Sequence, residues 1–402
     1  MLAIAIAAFA TAIAATLLLS LAPFTRRPAW RATVTPLASI IGSGFLICGP
    51  LLAREFGQGA LIAQGLLLVI AYAIGAVVRF NIAELEPQLA AASFNHPLAW
   101  MARVTQTVLA AAYAISIAYY LKLLAEFALK FVDLTPQLHS LLSNGAVTAI
   151  IGLLVLLAFT GGLRRVEHLA HGSVSLKLGM IVGMLAGLAA WWLVNGRLAA
   201  PLPPARLSWN GLPLLLGLLI TVQGFETSRY LGGSYSAELR IATMRRAQLI
   251  AAVIYLTFVA LLTPFLAQAA EAKGVAGILD IMALVAPGLV VLVLIGALAS
   301  QLSAAVADSI GAGGLMNEVT RGRLSIPASF ALAAALSIAV VWLTDPLQVV
   351  AVASRAFAVY YALQCVLAVM AHRSGGVLPK LGFVLIGLIA LAAALFGAPA
   401  EE

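Results

Sequence analysis

Two glycine-centred stretches stand inside apolar runs that would otherwise read as continuous helix. They are Ile41-Gly42-Ser43-Gly44-Phe45, followed a turn later by Gly49-Pro50, and Gln223-Gly224-Phe225-Glu226-Thr227. Glycine leaves helical dihedrals at little steric cost, so each stretch predicts a helix interrupted partway along its run. An interruption exposes amide N–H groups at one half-helix N-terminus and carbonyls at the C-terminus opposite. Such ends attract a carboxylate and an ammonium group respectively. In hydrocarbon the bare backbone groups are tolerated only where they line a cavity or are buried in protein. Gly-x-Gly spacings also let helices pack closely, but two of them, five apolar runs apart, weigh for a shared binding site.

Four charges fall inside apolar runs, where an ion is expensive to bury: Lys177, Glu226, Asp308 and Arg355. Lys177 either reaches from a span end to the headgroup layer or stands inside the bundle. Asp308 and Arg355 could form a structural ion pair; alternatively Asp308 carries a proton, or Arg355 attracts an anionic solute. Tyr119, Tyr120, Tyr360 and Tyr361 read mainly as interior packing, with one of the first two reaching the site. The five histidines, His96, His139, His168, His171 and His372, lie at or beyond the ends of runs. His168 and His171 have the i, i+3 spacing of metal ligands but no third partner, and read as a solvated face. Cys48 and Cys365 lie in apolar segments and read as core- or lipid-facing thiols. Since no GxSxG, HExxH or phosphate-cradling pattern occurs, neither a catalytic residue nor a metal site is expected.

The elements that must position these groups are membrane helices. Apolar residues form 63% of the 402-residue chain and charged residues 9%, with a mean hydropathy of +1.07. A soluble domain carries about 25% charge, so a water-facing surface cannot be built. The net charge of +8 is scattered over short loops and not gathered on one face with aromatics, which argues against nucleic acid. Twelve apolar runs, each near the roughly 20 residues that cross a hydrocarbon core, cover 2–22, 34–53, 59–81, 103–127, 144–160, 173–194, 210–229, 247–267, 283–310, 326–343, 347–371 and 380–397. No Lys or Arg precedes the first run, while Arg26, Arg27 and Arg31 follow it. That pattern predicts a retained helix, not a cleaved leader, with its N-terminus outside. On this topology sixteen Lys and Arg, Lys177 among them, fall on the cytoplasmic side and six outside, as expected of a multi-pass protein of the cell (inner) membrane.

The stretch from IIGSGFLICGPLL to FNIAELEPQLA resembles the first two core helices of the amino acid, polyamine and organocation (APC) transporter superfamily, the glycine break being followed by Glu84-Leu85-Glu86-Pro87. VQGFETSRY is similar to that family's sixth core helix, and VSLKLGMIVGMLAGL to its fifth, with Lys177 at the lysine position. The chain departs from the pattern in its leading helix, in Phe45 after Gly44, and in lacking a twelfth core helix.

The resemblance implies an all-α polytopic membrane protein of LeuT-type fold, a five-plus-five inverted repeat with about 12 transmembrane helices. Residues 1–33 would be an extra N-terminal helix and loop, 34–194 the first repeat, 195–371 the second, and 372–402 an additional C-terminal helix. It implies a secondary active transporter of amino acids or related amines. Gly42, Ser43 and Gly44 would bind a carboxylate, with Phe45, Tyr119 and Gln223 beside them. Gly224, Phe225 and Glu226 would be amine-side and gating positions, Phe225 as an aromatic lid. In relatives with a lysine at this fifth-helix place, its ammonium stands in for a sodium ion, so Lys177 favours proton coupling or exchange. Ser300 and Ser303 keep a sodium site open, and Asp308 is a further coupling candidate. Apart from a proton or sodium, no cofactor is expected; the partners are a small-molecule solute and the bilayer. The alternatives are a transporter of the same fold for an inorganic ion or nucleobase, and a channel or non-transporting scaffold, for which repeated pore-lining polar residues are expected and not found.

Overall fold

The computed structural model describes residues 1–42, 44–91, 93, 96–161, 173–196, 201–206, 209–232, 234–372 and 376–399. Among them every regular element is helical. Ten helices are long and apolar enough to cross a bilayer, and two further crossings are interrupted. Helix α1 (Leu2–Leu21) leads through a turn into α2 (Pro28–Ile40) and α3 (Gly44–Phe56), the two halves of the first split crossing. Helix α4 (Ala60–Phe80) continues through a π-helical turn, Asn81–Leu85, into α5 (Glu86–Ala91). Then come α6 (Pro97–Leu129), α7 (Pro136–Gly161) and α8 (Ser173–Asn195). The second split crossing consists of α9 (Leu212–Gly217) and two 3-10 segments, Leu219–Val222 and Phe225–Leu231. It is followed by α10 (Ala237–Leu261), α11 (Leu266–Glu271), α12 (Ile278–Val285), α13 (Pro287–Val319), α14 (Ile326–Leu343), α15 (Pro346–Ala371) and α16 (Val377–Phe396).

Each of the twelve expected runs contains helix, and both expected interruptions occur. The eighth core run is displaced. Ala286 is extended and Pro287 opens α13, because proline presets the first helical turn and lacks only an N–H that would go unpaired there. Residues 283–285 therefore belong to the short α12. At its other end α13 overruns the apolar run to Val319, with Ala312, Gly313 and Leu315 of the added turns buried in the bundle.

Of the ten helices long enough to cross uninterrupted, α6 is the most buried, whereas α1 and α16 are peripheral. Helix α1 lies along α8 with the two backbones almost touching. A Cβ at Gly179 would stand 2.8 Å from the Ala12 carbonyl oxygen, and one at Gly183 2.6 Å from that of Ala8.

Candidate functional site

At the first break α2 ends at Ile40, and Ile41 leaves the helix at φ −88°, ψ 65°. The carbonyls of the last α2 turn lose their helical partners, and side chains from other helices replace them. Lys177 of α8, only 1% exposed, donates its Nζ to the Ala38 carbonyl at 2.6 Å. Tyr255 of α10 turns its hydroxyl to the Ile40 carbonyl at 3.1 Å and to the Thr221 carbonyl of the other split crossing. One phenolic proton thus serves both interrupted helices.

At the second break Gln223 is extended, with φ −88°, ψ 177°, and Gly224 takes φ 118°, ψ −12°, a left-handed conformation that favours glycine. A Cβ there would lie 2.6 Å from the Ser39 carbonyl carbon and 2.7 Å from the Ile40 nitrogen, so this break packs directly on the end of α2. Glu226 turns back so that its Oε2 accepts the Gly224 N–H at 2.9 Å and the Tyr361 hydroxyl at 2.9 Å. The same hydroxyl lies 3.1 Å from Gln223 Oε1. Phe225 stacks on the Tyr361 ring, centroids 5.4 Å apart at 20°. Ser354 of α15 ties down the preceding segment, accepting the Ile220 N–H at 2.9 Å and donating to the Gly217 carbonyl at 2.6 Å.

The two breaks and α6 meet at one junction. A Cβ on Gly44 would sit 2.7 Å from the Tyr119 hydroxyl and 3.2 Å from Thr221 Cα; one on Gly42 would sit 3.3 Å from the Tyr120 ring. The Cys48 thiol donates to Thr221 Oγ1 at 3.1 Å. Phe45, Tyr119, Gln223, Phe225 and Glu226 are all buried, so the junction is closed to solvent. Two of its polar atoms, the Tyr119 hydroxyl and Glu226 Oε1, have no hydrogen-bond partner among the described residues.

The sequence-derived candidates thus converge, with qualifications. Gly42, Gly44, Phe45, Tyr119, Gln223, Gly224, Phe225 and Glu226 gather at the junction, whereas Ser43, His168 and His171 lie outside the described residues. Lys177 does not reach for the headgroups; burial and the Ala38 carbonyl hold it in the bundle, so it leaves the cytoplasmic tally of basic residues. It lines a small cavity with Phe45, Leu46 and Ser300. Ser300 Oγ has no partner among the described residues, while Ser303 donates to the Ser300 carbonyl at 3.0 Å.

Of the alternatives for Asp308 and Arg355, the mutual ion pair is not formed. Buried Asp308 accepts from Ser116 of α6, and Arg355, exposed on α15, donates Nε to the Gly397 carbonyl at 2.7 Å. Asp308 is buried in the bundle and Arg355 is exposed at its surface, a difference that their spacing along separate runs does not encode.

Tyr255, Tyr361, Thr221 and Ser354 escaped the sequence reading as site residues. Their signal was available in one respect: a buried tyrosine needs a partner for its hydroxyl, and Tyr255 and Tyr361 both stand in apolar runs. Glu86, singled out within its acidic motif, forms a bidentate ion pair with Arg240 at 2.9 and 2.6 Å. Arg240 also donates to the Arg229 carbonyl at 2.8 Å, and Arg229 to Gln364 at 2.6 Å. This chain fastens the end of the second split crossing to α5, α10 and α15.

Residues 22–397 match the family model of the APC superfamily transporters. An uncharacterized protein of Aquifex aeolicus (strain VF5) is 36% identical over 395 residues, covering 96% of this chain and 95% of its own length. Among solved structures, the substrate-bound outward-open state of a Na+-coupled sialic acid symporter is similar in fold, with a TM-score of 0.53 and 17% identity, over 100% of this chain and 98% of that one. Family model and fold agree on a multi-pass membrane transporter: the chain belongs to the APC superfamily.

Proposed function

We propose that the protein transports amino acids or related amines by alternating access at the junction of the two breaks. The observation that carries this reading is the pair of unsatisfied polar atoms there. The Tyr119 hydroxyl stands beside Gly44, where α3 presents its first amides and could receive a carboxylate. Glu226 Oε1, at the other break, is an acceptor for an ammonium group. Gly42 and Ser43 complete the carboxylate side, and Phe225 is the lid. Residues 34–194 and 195–371 form the inverted repeats, and the N-terminus lies outside the cell membrane.

Lys177 holds its ammonium on the Ala38 carbonyl, the position a coupling cation would take, and this supports proton coupling or exchange, with Asp308 as a second titrating group. A second reading, sodium coupling, is favoured by the unpartnered Ser300 hydroxyl in the Lys177 cavity and by the likeness to a Na+-coupled symporter. The test is a thermal-shift screen of the purified protein against amino acids, polyamines, nucleobases and inorganic ions, at two pH values and with or without sodium. A ligand at 100 times its Kd stabilises by about 2.7 kcal/mol. Stabilisation by an amino acid or amine, abolished in Glu226→Gln, is expected. Stabilisation by nucleobases or inorganic ions alone would overturn the substrate assignment.

A further inference from the structure

A groove opens where α2 meets α10, at the end of the bundle that carries the α1–α2 connection. Phe24, Arg27 and Trp30 form one wall and Arg246, Leu249 and Ile250 the other, around about 760 Å3 of open space. Phe24 and Trp30 pack edge to face, centroids 5.0 Å apart at 83°, which stiffens the first wall. Leu249 is 51% and Ile250 36% exposed on the outer surface of a membrane crossing, where acyl chains cover them.

Arg27 and Arg246 are exposed, and neither guanidinium group has a hydrogen-bond or ion-pair partner among the described residues. Their neighbour Arg240, a turn and a half earlier on α10, is by contrast occupied by Glu86. Two uncompensated guanidinium groups flank the groove at the end of an apolar run, with an indole at the same level. Guanidinium pairs favour phosphate, tryptophan favours the interfacial layer, and the apolar wall favours a chain. We propose that this groove binds an anionic glycerophospholipid, its phosphate held by Arg27 and Arg246 and one acyl chain lying along Leu249 and Ile250. Zwitterionic lipid lacks the net charge that the two arginines demand, and soluble phosphate esters lack the chain. Because one wall runs from the α1–α2 turn into the start of α2 and the other belongs to α10, the lipid bridges the first half of a split crossing to the helix that carries Tyr255.

The test titrates the full-length protein in detergent with phosphatidylglycerol, phosphatidylcholine and glycerol 3-phosphate, reading bound ligand by native mass spectrometry and stability by melting temperature. Phosphatidylglycerol should bind at least about tenfold more tightly than phosphatidylcholine, and glycerol 3-phosphate should neither bind nor stabilise. A surface arginine near anionic lipid contributes roughly fivefold in affinity, so Arg27→Gln with Arg246→Gln should weaken phosphatidylglycerol binding on the order of 30-fold. Arg323→Gln with Lys380→Gln removes the same charge elsewhere and should leave binding unchanged. If the double variant of the groove proves unstable in lipid-free detergent, each single variant carries the test, with an expected loss of about fivefold. Equal binding of the two lipids, retained binding in the groove variants, or stabilisation by glycerol 3-phosphate alone would overturn the proposal.

Discussion

Replacing Gly224 by alanine tests the central geometry directly. At φ 118° a side-chain-bearing residue is strained by about 1–3 kcal/mol. The new methyl group would also stand 2.6 Å from the Ser39 carbonyl carbon and 2.7 Å from the Ile40 nitrogen. Both are backbone atoms and cannot swing aside as a side-chain tip would, so overpacking adds about 1–3 kcal/mol. Together these destabilise the native packing by about 2–6 kcal/mol, the lower end if α2 yields by a few tenths of an ångström. At roughly 2–4 °C per kcal/mol, the melting temperature in detergent should fall by about 4–24 °C, and solute uptake into proteoliposomes should be lost. Gly152→Ala is the control, because a Cβ there meets nothing within 4 Å and alanine is the better helix former by about 1 kcal/mol. It should melt at the same temperature or higher and transport normally. A Gly224→Ala protein as stable and active as the wild type would refute the contact between the two interrupted crossings.

Tyr255→Phe strips the hydroxyl shared by the Ile40 and Thr221 carbonyls; each buried group left unpaired costs about 1–3 kcal/mol. A large fall in thermal stability with loss of uptake is expected, and unchanged values for both would remove its bridging role. Lys177→Met retains the stem but leaves the Ala38 carbonyl bare, again about 1–3 kcal/mol. Uptake driven by a pH gradient should vanish in this variant, and if the pH dependence persists, proton coupling through this lysine fails. Asp308→Asn still accepts from Ser116, so its melting temperature should stay close to that of the wild type. A double-mutant cycle with Arg355→Ala should give a coupling below about 0.5 kcal/mol, and a larger value would restore the ion pair that the geometry excludes.

The order and approximate extent of the crossings could be read from apolar run length, because a bilayer imposes the same requirement on every helix. The two breaks could be read as well, since Gly42, Gly44 and Gly224 stand where no loop can be exposed. What could not be read were the partners that make those breaks tolerable. Tyr255, Ser354 and Tyr361 act by their depth and rotation relative to carbonyls and carboxylates over 100 residues away in sequence. A one-residue change of register would turn each to another face without altering the local pattern. Asp308 failed for the same reason: its charge announced a partner, and the bundle supplied a serine from α6. The end of α13 was misplaced because Gly311, Gly313 and Gly314 weaken a helical reading, whereas burial of Ala312, Gly313 and Leu315 carries the helix on to Val319.

The narrow seam between α1 and α8 has a mechanical meaning for the lysine beside it. Gly179 and Gly183 lock α8 to a peripheral helix at distances that leave no slack, and close backbone contact is the main cohesive force available between helices in lipid. Lys177, two positions before Gly179, is therefore fixed in height from outside, as a post would be, while its acceptor belongs to the separate half-helix α2. If α2 swings away the post stays, and a lone ammonium in an apolar interior is too costly to persist. Departure of that half-helix must then coincide with the arrival of water or cargo at the lysine, or with loss of its proton.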